Sequence, residues 1–291
     1  MFSGVYTAIV TPFTLRDGVD YEALDRLVDR QIAAGVAGIV PVGTTGESPT
    51  LSTPEHIEVI RRIHDRADGR VQVVAGTGGN ATAEALELTQ AAKEIGCDAT
   101  LQVTPYYNKP SDNGLIAHFH AVADIGLPVM LYNVPGRAGK ELSMDVIAAC
   151  ADHPGIVAVK EAGGSVDRVS QILSRLPDME VLSGDDPLTL PMMAVGACGV
   201  VSVASNAVPE RVVALVSAAL EGDFVTARKI HLENHRLFQT LLGLDTNPLP
   251  VKTALVLMGL VEDVFRLPLC WLDGEKREIL EAELTRAGVL S

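Results

Sequence analysis

A lysine that ends a buried apolar run is costly to fold, and this chain has one at Lys160, in Ile156-Val157-Ala158-Val159-Lys160-Glu161-Ala162. A charged amine in such company must be paired or used. Desolvation lowers an amine's pKa from an ordinary value of about 10.4, and catalytic lysines reach roughly 7–8. A neutral amine attacks a ketone and forms a Schiff base. The competing reading is a structural ion pair with Glu161 or Asp185, and position alone weighs the two evenly. Lys93, Lys109, Lys140, Lys229 and Lys276 sit in helix or loop contexts, and Lys252 reads as an ordinary helix residue near the C-terminus.

Other apolar runs end in side chains that would suit such an amine. Leu131-Tyr132-Asn133-Val134-Pro135-Gly136-Arg137 offers a phenol that can relay protons during carbinolamine formation and dehydration, with a barrel-packing aromatic as the lesser alternative for Tyr132. Arg137 follows on a Pro/Gly turn. It can clamp a carboxylate with two parallel hydrogen bonds, or simply be a solvated loop arginine. Gly43-Thr44-Thr45-Gly46-Glu47-Ser48 is a tight turn whose amides and hydroxyls can hold a carboxylate. Gly76-Thr77-Gly78-Gly79-Asn80 resembles a phosphate cradle, but no Walker lysine follows, so it reads as a turn into a helix capped by Asn80. Adjacent Tyr106 and Tyr107 sit in a loop and can point to opposite sides, as interface tyrosines do. His118 and His120 are two apart on a helix and face different ways, which argues against a metal there. No HExxH helix, GxSxG elbow or paired-carboxylate site is present.

The elements that position these residues are legible in the hydrophobic pattern. Strand candidates are 6–10, 38–42, 71–75, 99–104, 128–132, 156–160, 180–183 and 199–203. Their continuous apolar character marks strands buried on both faces. Amphipathic segments lie between them at 21–34, 54–67 (with Thr53 as N-cap), 81–95, 112–125, 143–151, 166–176 and 187–195, and another follows at 209–221. Eight β-then-α units imply an α/β (β/α)₈ TIM barrel, whose chemistry sits at the C-terminal ends of the strands. After the eighth strand only helical pattern remains, at 224–242, 250–260 and 274–287. The expected division is therefore a catalytic barrel, 1–224, and a C-terminal helical appendage, 225–291.

Composition narrows the partners. A net charge of −14 repels phosphate backbones and anionic membranes, so neither nucleic acid nor a membrane surface is expected. An anionic substrate would need a local cationic pocket. Cys97, Cys150, Cys198 and Cys270 show no CxxC spacing, which argues against a zinc site or disulfide framework, and each reads as a small buried hydrophobe. The N-terminus lacks a signal-peptide pattern, and no apolar run approaches the roughly 18 residues of a membrane helix. A cytoplasmic location is expected.

Taken together, these motifs resemble the dihydrodipicolinate synthase family. The resemblance runs from AIVTPF through GTTGES, AGTGGNAT, VTPYYNKP, LYNVPGR, VAVKEA, LSGDD and GVVSVASN to NPLPVK, in family order and spacing. It implies condensation of pyruvate with L-aspartate 4-semialdehyde on the route to lysine and diaminopimelate, with no metal or organic cofactor. It implies roles as well: Lys160 for the Schiff base, Tyr132 as proton relay, and Thr44 linking that tyrosine to Tyr107, which is lent by a neighbouring subunit. Thr45 would contact the pyruvate carboxylate and Arg137 the carboxylate of the second substrate. Gly184 and Val201 would line the pocket with backbone. A homotetramer, built as a dimer of dimers, is usual in the family. Ser48, His56, Asn80, Glu84 and Tyr106 match a regulatory lysine site, although Pro49 and Thr53 depart from it. N-acetylneuraminate lyases and 2-keto-3-deoxy sugar acid aldolases share the barrel and the lysine. The second threonine of GTTGE, the tyrosine pair and Arg137 favour the synthase.

A non-catalytic ligand-binding barrel would be expected to replace Lys160, Tyr132 or Thr44. A phosphate or flavin barrel would want a glycine-rich loop in the seventh or eighth unit. Ser183-Gly184-Asp185-Asp186 and residues 202–206 offer acid and small polar groups there instead.

Overall fold

The computed structural model describes residues 2–290. Eight parallel strands close into a barrel in chain order: β1 (Gly4–Ala8), β2 (Gly38–Val40), β3 (Gln72–Gly76), β4 (Ala99–Val103), β5 (Val129–Asn133), β6 (Ile156–Glu161), β7 (Glu180–Ser183) and β8 (Gly199–Ser202). Each of the eight predicted runs holds one strand, displaced by no more than about two residues, which is the usual uncertainty of an element end.

Helices α1 (Tyr21–Ala34), α2 (Thr53–Ala67), α3 (Thr82–Ile95) and α4 (Asp112–Ala123) follow the first four strands. The fifth unit carries a single-turn helix, α5 (Pro135–Ala138), before α6 (Met144–Ala151). α7 (Val166–Arg175), α8 (Thr189–Ala194) and α9 (Pro209–Leu220) complete the ring. Two expected caps are corrected. Ser52, not Thr53, starts α2: its hydroxyl accepts from the Glu55 amide while Glu55 reaches back to the Ser52 amide, a full capping box. α3 is preceded by Ala81 rather than Asn80 and has no side-chain cap.

The core has two layers. Inside the barrel, Tyr6, Val40, Val74, Leu101, Met130, Leu182 and Val201 interdigitate. Outside it, the opposite strand faces meet the helices in a larger cluster including Ile39, Val73, Leu131, Val159 and Val200. Strands buried on both faces require this continuous apolar sequence. Cys97 and Cys150 are buried as expected, whereas Cys270 is exposed.

Three further helices, α10 (Phe224–Gly243), α11 (Leu249–Leu257) and α12 (Gly274–Arg286), follow the barrel. α10 packs on α9, and α11 and α12 pack on α10. Lys252 on α11 departs from expectation: it is wholly buried and ion-paired to Glu47 of the β2 turn. A second tether is Arg266, whose Nη2 and Nη1 donate to Glu55 at 2.7 and 3.0 Å. These bonds hold the Glu55 carboxyl down at about 2. A depressed carboxylate pKa contributes stability above its ordinary value near 4.5, and that contribution is lost as pH falls toward 2. Glu55 is partly exposed, which screens the pair, so Glu55→Gln is expected to cost about 1 kcal/mol at pH 7. Urea unfolding of both proteins should show that gap closing between pH 4.5 and 2. A gap that stays constant over this range would remove the pairing as its cause.

Candidate active site

β5 and β6 lie in register with Tyr132 opposite Lys160. Both residues end their strands on the inner face at the C-terminal mouth. The Lys160 ammonium lies 4.1 Å from the centre of the Tyr132 ring, and Lys160 is 5% exposed. The two ion pairs considered for this lysine are absent. Glu161, one residue on, faces the other side of the barrel wall, where both carboxylate oxygens accept from Asn133 Nδ2 (3.0 and 2.9 Å) and Oε1 accepts from the Gly163 amide (2.6 Å). No carboxylate lies within 4.0 Å of the Lys160 amine among the described residues, and Asp185 instead caps the turn leading to α8.

The nearby charge is Asp186. Its carboxylate accepts from Ser202 Oγ (2.5 Å) and from the amides of Val203 (2.9 Å) and Ala204 (3.0 Å). Burial pushes this carboxyl above its ordinary range, while those three donors and the charge of Lys160 pull it back. Gly184 sits where any side chain would collide: a Cβ there would lie 2.7 Å from Ala162 Cβ and 3.0 Å from Lys160 Cε. Its role is to leave room for the lysine stem, and its amide donates to Glu161 O at 2.8 Å. Val201 is fully buried on β8 in the inner cluster with Tyr132.

Beside this pair opens a cavity of about 190 Å³, lined among others by Thr44, Tyr132, Val134 and Arg137. One wall is the turn after β2. Val42 (φ 54°) and Glu47 (φ 57°) take left-handed conformations that cost β-branched or charged residues energy. A Cβ at Gly46 would approach the Val42 backbone to 2.9 Å, so only glycine lets the chain turn this tightly. The amides of Gly46 and Glu47 are spent on Gly43 O and Thr44 O. Those of Thr44 and Thr45 donate to no protein acceptor, so they are available to a carboxylate. Thr45 Oγ1 accepts from Asn247 Nδ2 at 3.0 Å. Arg137 is not on an open turn. It rides on α5, and its Nη2 donates to the Asn247 carbonyl at 3.1 Å.

Tyr107 (φ 73°) is 89% exposed and does not line this cavity. A second cavity, also about 190 Å³, shares Ser48, Pro49, Gly78 and Tyr106 with the first. It adds Thr53, His56 and Glu84, but Asn80 lies outside it, its carbonyl accepting from Asn108. His56 Nε2 meets Gly76 O at 2.7 Å, and burial lowers its pKa. His118 and His120 have separate partners, Thr82 and Ala149, and no cluster of three or more His, Cys, Asp or Glu side chains suited to a metal exists among the described residues.

Asp186 and Asn247 were not singled out from the sequence. Asp186 follows an equally acidic neighbour, and Asn247 sits far along the chain, so no local spacing marks either. The only signals were the LSGDD and NPLPVK segments that contain them.

Residues 1–287 match the model of the dihydrodipicolinate synthetase family. A 4-hydroxy-tetrahydrodipicolinate synthase of Persephonella marina is 47% identical, with both chains fully covered. The synthase structure from Methylacidiphilum fumariolicum superposes with a TM-score of 0.97 at 49% identity, over 99% of this chain and 96% of that one. The dihydrodipicolinate synthase of Acinetobacter baumannii, solved with pyruvate, gives 0.97 at 43% identity over the whole of both chains. With a closed eight-stranded barrel and full-length matches of this kind, the chain belongs to the dihydrodipicolinate synthetase family.

Proposed function

We propose that this chain condenses pyruvate with L-aspartate 4-semialdehyde, as a 4-hydroxy-tetrahydrodipicolinate synthase on the route to lysine and diaminopimelate. The observation that carries the reading is the Lys160 amine 4.1 Å over the Tyr132 ring, beside a cavity that Thr44 and Arg137 line. The Lys160 amine attacks the pyruvate carbonyl carbon, and the carbinolamine loses water to an iminium. Tyr132 moves the protons, with Thr44 linking it to Tyr107 of a neighbouring subunit. Asp186 is held behind the lysine by Ser202 and two backbone amides, donors that favour its ionised form, and in that form it favours the cationic iminium. Loss of a methyl proton gives an enamine, whose carbon attacks the aldehyde while the aldehyde oxygen takes up a proton. The α-amino nitrogen of the second substrate then adds to the iminium carbon, closing the ring and releasing Lys160.

Thr45 holds the pyruvate carboxylate and Arg137 that of the semialdehyde, while Gly184 and Val201 shape the space around the lysine. The covalent group is the enzyme's own amine, so the reading assigns no cofactor. The exposure of Tyr107 supports its donation to a partner, hence a dimer at least and a dimer-of-dimers tetramer by family usage. The reading also keeps the barrel as 1–224, the helical appendage as 225–291, and a cytoplasmic location. No helix of the described residues is long and apolar enough to cross a membrane. For the second cavity we propose L-lysine as effector, with Glu84 pairing its ammonium and with Pro49 and Thr53 weakening the fit.

Turnover is followed by coupling to dihydrodipicolinate reductase and NADPH loss. Arg137→Ala is expected to raise the semialdehyde KM by about 100-fold, the scale of losing a charged hydrogen-bond pair, while borohydride still traps pyruvate on the enzyme. No turnover in the wild type, together with trapping of pyruvate, would transfer the chain to a sister aldolase acting on sugar acids.

A further inference from the structure

We infer that Asn247 is a positioning residue that couples the two carboxylate contacts of the site. The inference rests on the roles assigned above to Thr45 and Arg137. Asn247 lies in the turn between α10 and α11, after the barrel strands, yet it bonds to both residues at once. Its side-chain amide donates to Thr45 Oγ1 at 3.0 Å, and its main-chain carbonyl accepts from Arg137 Nη2 at 3.1 Å. Asn247 and Thr45 are 8% and 3% exposed, so the bond between them is shielded from bulk water, whereas the bond to Arg137 is only partly buried.

The geometry fixes what each bond does. Thr45 stands in a turn flanked by the left-handed residues Val42 and Glu47, which a surrounding structure must hold in place. Asn247 fixes the hydroxyl at one point of that turn. Five residues later in the same segment, Lys252 fixes it at a second, through the buried Glu47 carboxylate. Arg137 rides on a four-residue helix, too short to hold a long side chain by itself. The Asn247 carbonyl takes one guanidinium N–H and leaves the others for a substrate carboxylate. One residue therefore sets the separation of two groups that must grip two different substrates.

Both contacts act on substrate and transition state alike, so disturbing them should raise KM more than it lowers kcat. Asn247→Ala removes the Thr45 bond but keeps the main-chain carbonyl that Arg137 uses, so it is expected to raise the KM of pyruvate by about five- to tenfold and that of semialdehyde, through the loosened segment alone, by no more than about threefold, with kcat within about threefold of wild type. Borohydride trapping on Lys160 at saturating pyruvate should be unchanged. The pyruvate effect should vanish in a Thr45→Val background, where the bond is already lost; an asparagine that served stability alone would give no such coupling. If Asn247→Ala does not fold, Asn247→Asp keeps the size but sets a negative charge beside both contacts, and should raise both KM values further. An unchanged pyruvate KM in the variant that folds would overturn the inference, as would additive effects with Thr45→Val. Arg137→Ala is the control: if it leaves the semialdehyde KM unchanged, the underlying site assignment fails rather than the coupling.

Discussion

Lys160→Ala should lower kcat/KM by on the order of 10⁴-fold or more, because it removes the amine to which the proposed mechanism assigns the covalent intermediate. Asp186 and the Tyr132 ring would remain, but neither can replace an amine. Lys160→Arg should be as inactive. A guanidinium stays protonated at any workable pH and has no lone pair to attack a carbonyl. The Lys160 side chain lies in a slot whose floor is Gly184 and whose roof is the Tyr132 ring, so truncation to alanine leaves a small cavity and little disturbance elsewhere. The variant should therefore remain folded, and circular dichroism would establish that. The decisive measurement is mass spectrometry after incubation with pyruvate and borohydride. Wild type should gain one reduced pyruvate on the peptide carrying Lys160, and neither variant should gain any. Trapping that persists in Lys160→Ala would place the Schiff base on another amine and sink the mechanism.

The barrel was legible because its strands are apolar on both faces, a pattern that needs no tertiary information. The nearness of Lys160 and Tyr132 was legible too. Both end predicted strands consecutive in the chain, and a parallel barrel places consecutive strand ends side by side. What could not be read locally comes from long range. Asn247 reaches Thr45 across 202 residues of sequence, and Arg137 across 110. Neither separation leaves a periodic trace. The cap of α2 was misplaced by one residue because Ser52 and Thr53 are chemically equivalent caps, and only the reciprocal bond from Glu55 chooses between them. Lys252 was misread for a related reason. A lysine on an amphipathic helix normally faces water, and nothing in α11 itself announces the buried acid that Glu47 presents from another part of the chain.

That misreading leads to the largest stability effect expected in the molecule. Lys252 and Glu47 are both fully buried; Glu47 Oε1 takes the ammonium and Oε2 has no hydrogen-bond partner. The ammonium also lies 4.1 Å from the Phe13 ring centre and 5.0 Å from that of Phe265. Burial pushes the glutamic acid up and the lysine down, and each charge opposes the shift of the other. Lys252→Met keeps much of the volume but strands a carboxylate in an apolar site. The expected cost at neutral pH is about 3–5 kcal/mol, or roughly 10 °C in Tm for a chain of this size. The direction with pH follows from the raised Glu47 pKa. A carboxyl that prefers its neutral form when folded stabilises below its ordinary value of 4.5, and that contribution is lost as pH rises through the folded value. The deficit of Lys252→Met should thus be greatest at pH 8 and shrink as pH falls toward 5. Adding Glu47→Gln should recover most of it, since an uncharged amide removes the desolvated charge while nearly keeping the shape. Thermal denaturation of the single and double variants at pH 5 and pH 8 separates the cases. A deficit that is the same at both pH values, or that the second substitution deepens, would mean that lost packing around Phe13 and Phe265, rather than an unpaired charge, sets the stability of the joint between the helical appendage and the β2 turn.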